Sequence, residues 1–538
     1  MTLIDPTPPP TFERTLPAIQ VAGPMNDRYG EILTPEALAF LAQLHELFAG
    51  SRYDRLADRL RRGYEIGIGH DPKFREDTAH IRNDPSWRVA GARPGLEDRR
   101  VEITGPTDVD STIAALNSGA SVWLADHEDA MSPTWTNVIG GQIALRDAIR
   151  GALDVTAEST PTIVMRPRGW HLEEAHLQFT DIHGRTMAAS GSLVDFGLYF
   201  FHNAAELIAQ GAGPYFYIAK LESAEEARLW DQVFTFSEQY LGLDHGTIRA
   251  TVFIETLPAA FQMDEILYEL RDHASGLNAG RWDYIFSIIK IYRGRGSRFV
   301  LPDRNEVTMT VGFMRAYTEL LLQTAHRRGA HAIGGMSAFI PDPDPAQQNE
   351  DALAKVSADK RDEANDGFDG TWVAHPGLVP VAMAEFDAVL GDRPNQLDHP
   401  GPETKIRERH LMDLHIGRAI TDQGVHENVS VGIRYLEAWL RGQGAVAIDG
   451  LMEDTSIAEI SRSQIWQWIR QERSTQEGTE ITRAHIEDLI DRVLGEVERT
   501  DGDRFDDAAD VFRDVALSQT FRAFLTTKAY ADHLVTLA

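Results

Sequence analysis

Eight short apolar runs, separated by amphipathic segments of helical period, recur between residues 100 and 380. Parallel strands that are buried on both faces read as such runs, and helices of this period supply the connections between them. The runs occupy 101–106, 121–129, 161–169, 215–222, 250–256, a segment near 275–286, 331–340 and 370–377. Eight βα units predict an α/β protein built on a (β/α)8 TIM barrel.

The sequence on either side of the runs has helical period. A Pro-rich arm is followed by helical patterning at 35–49 and 52–62, and the pattern is helical again from 395 onward. A chain of 538 residues exceeds what one hydrophobic core usually organises. We therefore predict an N-terminal helical region at 1–95, the barrel at 96–394 and an all-helical C-terminal domain at 395–538.

Composition excludes several kinds of chemistry. The chain contains no Cys, so disulfides, thiolate nucleophiles and Cys-ligated metals are excluded, and any metal must bind to oxygen or imidazole. The net charge is −30 and no basic run could neutralise successive phosphates, which argues against nucleic acid as a partner. Because no signal peptide and no membrane-spanning window is evident, we expect a cytoplasmic protein without membrane contact.

Several runs are apolar at the start and end in charged residues, as barrel strands do when their carboxyl ends open onto an active site. The charged residues at these ends are Asp126, Glu128, Arg166, Lys220, Glu222 and Glu255. The sixth run is ambiguous, because a strand over WDYIFSII would place Asp283 at the opposite end of the barrel. We predict instead a strand over SGLNAG (275–280), with Asp283 in the following loop and Gly280 allowing close approach of the backbone to a ligand.

Glu255 and Asp283 are candidate ligands of Mg²⁺, which prefers oxygen ligands and keeps coordination positions for water and substrate. The alternative is that both are ordinary carboxylates in solvent, and the chain has 82 acidic residues. Arg166 and Arg168 are two residues apart, so at least one should face the mouth, where a guanidinium can bind a carboxylate or stabilise an oxyanion. A structural ion pair with barrel acids is the alternative for either arginine.

Asp454 precedes a helical pattern in GLMEDTSIAEIS, in which Ser456 and Glu459 could form a capping box. The local sequence favours capping by Asp454 or a neighbour. A catalytic role for Asp454 requires that the C-terminal domain covers the mouth of the barrel.

The segment 271–287, RDHASGLNAGRWDYIFS, resembles the signature of the malate synthase family. Similar segments lie at 165–176, 213–223, 254–273, 334–341, 369–378 and 450–469, so the resemblance extends over essentially the whole chain. The A form of that family has a barrel between an N-terminal helical clasp and a C-terminal helical plug. This layout agrees with the one predicted above.

The resemblance implies a Claisen condensation of acetyl-CoA with glyoxylate, followed by hydrolysis to malate and CoA in the glyoxylate cycle. Glu255 and Asp283 match the family's ligands of Mg²⁺, the implied cofactor. Asp454 matches the base that removes a methyl proton from acetyl-CoA, and Arg166 matches the residue that polarises the thioester carbonyl.

The resemblance also implies the substrate contacts. Backbone N–H groups from residue 280 to 283 would hold glyoxylate, and acetyl-CoA would lie along the loop FIPDPD (339–344), where Pro341 and Pro343 are the candidates. The full set implied for glyoxylate is Arg166, Glu255, Gly280, Arg281, Trp282 and Asp283. We expect a monomer or a small homo-oligomer, and a surface loop for the segment 177–190.

Two other functions remain open from the sequence. A related magnesium-dependent barrel lyase of the malyl-CoA or citrate-lyase type would use the same arginine and paired acids without hydrolysing the thioester. Such lyases are generally much shorter, so the C-terminal domain favours the synthase. A non-catalytic CoA-binding protein on the same fold is the second alternative, and the presence of all four critical residue types argues against it.

Overall fold

Eight parallel strands close into a barrel in the computed structural model, which describes residues 16–342, 346–401 and 404–538. Each strand falls within or beside a predicted run, so the barrel is confirmed. In order around the barrel the strands, numbered along the chain, are β2 (Val101–Gly105), β3 (Val122–Asp126), β4 (Thr162–Arg166), β7 (Tyr215–Ile218), β8 (Arg249–Ile254), β9 (Ala274–Ala279), β10 (His331–Ser337) and β11 (Gly370–Val373).

The ambiguous sixth strand is resolved as predicted. β9 covers SGLNA, and WDYIFSII forms a helix, α9 (Trp282–Tyr292), which is buried on nearly all sides. A short apolar run cannot by itself distinguish a buried strand from a buried helix, which explains the ambiguity. Asp283 therefore lies in the first turn of α9, at the carboxyl end of the barrel.

Helices follow the barrel strands on the outside, as the βα pattern predicts. After β8 the chain forms two short helices, and after β9 it forms two longer ones. Besides α9 the barrel helices are α3 (Val109–Leu116), α4 (Trp135–Ile149), α5 (Gly191–Ala209), α6 (Ala224–Leu241), α7 (Leu257–Ala260), α8 (Met263–Glu269), α10 (Gly312–Arg328), α11 (Ala346–Asp366) and α12 (Val379–Leu390).

The N-terminal region contains a long helix, α1 (Pro35–Gly67), and a short one, α2 (Ala79–Asn83). The two predicted segments at 35–49 and 52–62 are one continuous helix. It begins where the Thr34 side chain accepts a hydrogen bond from the N–H of Ala37, with Pro at the first helical position. Arg59 of α1 pairs with Glu226 of α6, which holds the helix against the barrel.

The segment 177–190 is not the predicted surface loop. It forms a hairpin of β5 (Glu173–Thr180) and β6 (Thr186–Ser190), and β5 also pairs antiparallel with β1 (Ala18–Val21). The inward side chains Leu177, Phe179 and Ala189 are buried, so this sheet carries core of its own. Buried and less buried residues partly alternate along β5, as is typical of a half-buried strand, so the prediction of a loop was wrong.

The C-terminal region is largely helical, as predicted, with helices α13 (Glu408–Leu411), α14 (Asp422–Leu440), α15 (Thr455–Arg470), α16 (Arg483–Glu496), α17 (Phe505–Leu517) and α18 (Leu525–His533). It is not all-helical, because β12 (Val446–Ile448) and β13 (Leu451–Glu453) form an antiparallel hairpin. The hairpin also bonds to the segment after β10: the N–H of Met452 donates to the carbonyl of Ala338 at 2.7 Å. The C-terminal region is thereby fixed to the mouth of the barrel directly before α15.

The interior of the barrel is filled with large side chains, among them Tyr217, Phe253 and Trp372. It is a packed core with no pore, so chemistry is confined to the mouth above these rings. Among the helices of the described ranges, none has the length and hydropathy needed to cross a membrane.

Candidate active site

Arg166 is the last residue of β4 and is fully buried at the mouth of the barrel. Its Nε and Nη2 donate to the two carboxylate oxygens of Asp126, the paired residue at the end of β3, at 2.7 and 2.5 Å. Burial would raise the pKa of Asp126, but the adjacent guanidinium holds that pKa below its usual value. The guanidinium carbon lies 4.8 Å from the centre of the Phe253 ring, so Arg166 is held by an ion pair and by an aromatic ring.

Arg168, the second candidate arginine, faces away from the mouth. It binds the carboxylate of Asp195 in a bidentate manner at 2.8 Å and also pairs with Glu174 at 3.0 Å. The structural alternative therefore applies to Arg168, and Arg166 is the arginine of the mouth.

Lys220, which follows β7, brings the acidic groups of the mouth together. Its Nζ lies 2.9 Å from the carboxylate of Asp129 and 3.0 Å from that of Asp283, and its backbone N–H donates to Glu255 at 2.6 Å. The residue has a φ of 52°, in the left-handed region that a non-glycine side chain adopts only under constraint from its surroundings. This backbone geometry lets one residue hold three carboxylates with two different nitrogen atoms.

Three buried carboxylates at the mouth converge on one point. Asp129, Glu255 and Asp283 each offer an oxygen, and these atoms lie within 4.8 Å of one another. The Oδ1 of Asp283 is buried without a hydrogen-bond partner among the described residues. A Cβ at Gly280 would lie 3.0 Å from the Cβ of Glu255, so a larger residue there would crowd the Glu255 side chain.

The charge balance of the mouth favours a bound cation. Burial raises the pKa of Asp129 to about 6 and that of Glu128 to about 7, and it also raises the pKa values of Glu255 and Asp283. Buried carboxylates that repel one another are most easily ionised together when a divalent cation binds between them. The donor set is purely oxygen and includes the partnerless Oδ1 of Asp283, so it fits Mg²⁺.

Asp454 lies over this cluster and is the N-cap of α15. Its Oδ1 accepts a hydrogen bond from the N–H of Ser456 at 3.0 Å, so Asp454 itself provides the cap. The expected box of Ser456 and Glu459 does not form, because Glu459 pairs with Arg462. Burial and the nearby Asp129 raise the pKa of Asp454 to about 6.

The C-terminal region is tied to the barrel at the same place. Both the N–H and the hydroxyl of Thr455 donate to the carbonyl of Asp129, at 3.2 and 3.0 Å. Asp454 is therefore held over the mouth by hydrogen bonds of its neighbouring residue as well as by the hairpin.

The predicted glyoxylate loop lies next to the cluster of Asp129, Glu255 and Asp283. The N–H of Gly280 already donates to the hydroxyl of Tyr317 at 3.0 Å, whereas the N–H groups of Trp282 and Asp283, in the first turn of α9, have no partner within the helix. The side chain of Arg281 donates to the carbonyl of Val307 and stacks 4.1 Å from the Trp282 ring. Of the backbone N–H groups predicted to hold glyoxylate, those of Trp282 and Asp283 point outward from the N-terminal end of α9.

A cavity of about 910 Å³ opens beside Asp454. Its wall is formed by the segment after β2, the segment after β3, and the loop and hairpin at 442–447 and 452–454. Pro341 lies just beyond the wall, where it would be 3.2 Å from a Cβ at Gly377. Pro343, the other residue predicted to contact CoA, lies outside the described residues.

Two residues of the mouth were not among the predicted site residues. Asp129 and Lys220 both stand at strand ends that the sequence analysis had marked as polar, but neither lies in a motif with recognisable spacing. The one sign of them in the sequence is their position at the polar end of an apolar run. Only the closure of the barrel brings residues 129, 220 and 283 together.

The fold and this cluster define the class of protein: a (β/α)8-barrel enzyme whose acidic mouth is suited to a divalent cation. Family models for the malate synthase TIM barrel, C-terminal and N-terminal domains match residues 162–414, 419–533 and 18–80. The chain belongs to the malate synthase family.

The sequences of known relatives match this chain over nearly its full length. Malate synthase of Streptomyces clavuligerus is 54% identical and the match covers 96% of this chain and 98% of the relative. Malate synthase of Myxococcus xanthus is 47% identical, with 97% of each chain covered. Malate synthase A of Escherichia coli is 45% identical, with 94% of this chain and 96% of the relative covered.

A solved magnesium and glyoxylate complex of malate synthase from Haloferax volcanii is more distant. It is 17% identical with a TM-score of 0.41, and the match covers 69% of this chain and 89% of that one. A likeness at this level does not locate individual residues here.

Proposed function

We propose that the chain condenses acetyl-CoA with glyoxylate and hydrolyses the resulting thioester, giving malate and free CoA. The observation that carries this proposal is the position of Asp454, a half-buried carboxylate from the C-terminal region held over Arg166 and the acidic mouth. A barrel lyase could share the mouth. The match to the C-terminal family model over 419–533 favours the synthase.

We propose that Glu255 and Asp283 hold Mg²⁺ and that Asp129 contributes to the same site. Their oxygens converge, and the ion would offset the burial and the repulsion that raise the pKa values of Glu255 and Asp283. A magnesium ion bound there supplies Lewis-acid polarisation of the glyoxylate aldehyde. Lys220 positions all three of these carboxylates, and the N–H groups at the start of α9 would face the substrate carboxylate.

Arg166 would stabilise the enolate of acetyl-CoA. Its Nε and Nη2 are bound to Asp126, which leaves Nη1 to donate to the thioester oxygen. Asp126 thus fixes the orientation of the guanidinium, so little reorganisation is needed when negative charge develops. Nη1 lies 3.3 Å from Asp129, which is its alternative partner.

Asp454 would remove the methyl proton. Its raised pKa of about 6 makes it a better base than an exposed aspartate while it stays mostly ionised at neutral pH. A carboxylate remains weak against a carbon acid, so most of the barrier reduction must come from charge stabilisation by Arg166 and the metal site. The cavity beside Asp454 is our proposed location for acetyl-CoA, with Pro341 near its edge.

We further propose that residues 1–95, 96–394 and 395–538 form three domains. The second carries the mouth of the barrel, and the third carries Asp454, the proposed base. A cytoplasmic location and a monomer or small homo-oligomer also stay predictions. Fractionation of cell extracts and light scattering on the purified protein would test them.

The decisive experiment is the release of free CoA, followed with a thiol reagent. We expect release only when acetyl-CoA, glyoxylate and Mg²⁺ are all present, and one malate should form for each CoA. Release without glyoxylate would indicate a thioesterase, and malyl-CoA without free CoA would indicate a lyase. Either outcome would contradict the proposal.

A further inference from the structure

We propose a second metal site, far from the mouth, in which Glu238, His245 and His273 bind a divalent first-row transition metal ion such as Zn²⁺. Each of these three side chains offers one ligand atom, and the three atoms lie within 4.8 Å of one another. Imidazole is a ligand for zinc, copper, nickel or cobalt and a poor one for magnesium, so the site differs in chemistry from the mouth.

The site lies at the opposite end of the barrel from the mouth. Glu238 is in the last turn of α6, His245 is in the loop that leads to β8, and His273 directly precedes β9. The strands run from here towards the mouth, and six residues of β8 span about 20 Å. A metal bound here does not reach the proposed substrates.

The distances fit a tetrahedral ion. The Oε2 of Glu238 lies 3.3 Å from Nδ1 of His245 and 3.2 Å from Nε2 of His273. Zinc bonds to nitrogen and oxygen of 2.0–2.1 Å give about 3.3 Å between neighbouring ligand atoms in a tetrahedron. Two edges of that tetrahedron are therefore already present without any movement of the carboxylate.

Each histidine also has a carboxylate on its other nitrogen. Nδ1 of His273 lies 2.8 Å from Asp231, and Nε2 of His245 lies 3.6 Å from Asp272. A carboxylate on the far nitrogen is the usual support of a metal-bound histidine, because it keeps the proton there and turns the other lone pair to the metal. His273 has this support within hydrogen-bond distance, whereas Asp272 is only a nearby carboxylate to His245. Nδ1 of His245 and Nε2 of His273 both lie beside the Oε2 of Glu238.

Such an arrangement needs positive charge at its centre. Two imidazole lone pairs and a carboxylate oxygen repel one another at 3.2–3.3 Å unless protons or a metal ion lie between them. Protonated histidines are the alternative occupant. The His245 side chain is 54% exposed, so an ion has a path to the site and a water molecule can complete its coordination.

The ion would fasten the connection between α6 and β8 to the start of β9. Glu238 already accepts the N–H groups of Gly246 and Ile248 at 3.0 and 2.8 Å, which orders this loop. Metal binding to the folded protein alone would add to that order and raise the Tm. The proposed role is structural.

The test is a calorimetric titration of the full-length protein with Zn²⁺ in saturating Mg²⁺, which occupies the mouth. We compare the wild type with His245→Ala and His245→Gln, which change an exposed side chain, and with His183→Ala, an exposed histidine outside the cluster. We expect a zinc-binding event that weakens at least tenfold in both His245 variants and stays unchanged in His183→Ala. Zn²⁺ should raise the Tm of the wild type and of His183→Ala only.

Two results would overturn the site. One is the absence of zinc binding to the wild type beyond what both His245 variants retain, and the other is an equal Tm response in all four proteins. Turnover of the His245 variants with Mg²⁺ should equal that of the wild type. Because turnover and zinc binding are measured separately, failure of this site is distinguishable from failure of the proposed synthase activity.

Discussion

Asp454 combines two roles that sequence patterns assign to different residues. It caps α15 through Ser456, and it is proposed to take a proton from acetyl-CoA. Asn also caps helices but cannot act as a base, so Asp454→Asn separates the roles. We expect kcat to fall about 10²- to 10⁴-fold with an unchanged Tm, as measured by CoA release and thermal unfolding.

Asp454→Ala removes the cap as well and should cost about 1 kcal/mol of stability in addition. Asp422→Asn, at the start of α14, is the control for an aspartate of the same region outside the mouth. If Asp454→Asn turned over like the wild type, capping would be the only role of this residue.

The same carboxyl group predicts a pH dependence. Burial and Asp129 raise the pKa of Asp454 to about 6, and only the ionised form can accept a proton. With Mg²⁺ and both substrates saturating, kcat should therefore be level at neutral pH and fall about tenfold per unit below about pH 6. A profile that is flat down to pH 5 would exclude Asp454 as the base.

Asp129 tests how far the metal site extends beyond the two predicted ligands. Its carboxylate lies with those of Glu255 and Asp283 around one point. We expect Asp129→Asn to lower Mg²⁺ affinity about 10- to 100-fold by calorimetry, and the double variant Glu255→Gln with Asp283→Asn to abolish binding. Glu385→Gln on α12, paired with Arg361, is the control and should bind Mg²⁺ normally.

At the scale of secondary-structure elements, the barrel could be predicted from the sequence, whereas the hairpin of β12 and β13 could not. The strands of the barrel are apolar and separated by segments of helical period, and SGLNAG was recognised because Asp283 had to be at the mouth. β12 and β13 are three residues each and only partly buried, so they are too short to carry such a pattern. Their pairing is fixed by bonds to 338–340, more than 100 positions away, which local sequence does not encode.

The hairpin turns at Asp449 and Gly450, both of which have positive φ. A β-branched residue at position 450 is strained by about 1–2 kcal/mol, so Gly450→Val should distort the strand that precedes Asp454. We expect kcat to fall about 10- to 100-fold while Mg²⁺ affinity is unchanged, because the metal ligands belong to the barrel. Kinetics and calorimetry on the same preparation measure both.

Gly478→Val is the matched control for this variant. Gly478 also has positive φ, at 96°, and follows the C-terminal end of α15. That helix has 16 residues, so its C-terminal end is about 24 Å from Asp454. An equal loss of kcat in both variants would show that the hairpin acts only through stability.

At the scale of the whole molecule, the net charge of −30 opposes the approach of anionic substrates. The described residues that line the cavity beside Asp454 include Asp108 and Glu453 and no Lys or Arg. We therefore expect kcat/KM for acetyl-CoA to rise at least about twofold as the ionic strength increases from about 10 mM to about 150 mM, where the Debye length falls from about 30 Å to about 8 Å.

A neutral salt series with potassium chloride measures this effect, and kcat at saturation serves as the internal control. A decrease of kcat/KM with salt would mean that a local positive field, outside the cavity wall, attracts the substrate.

The long separation in sequence between the mouth and residue 454 has a consequence for biosynthesis. Arg166, Glu255 and Asp283 leave the ribosome well before Asp454, because translation proceeds from the N-terminus. A nascent chain can therefore complete its metal ligands while the proposed base is still unmade. On the proposed roles, such a chain would bind cation and aldehyde without forming an enolate, and thioester chemistry would begin only once the C-terminal hairpin has docked.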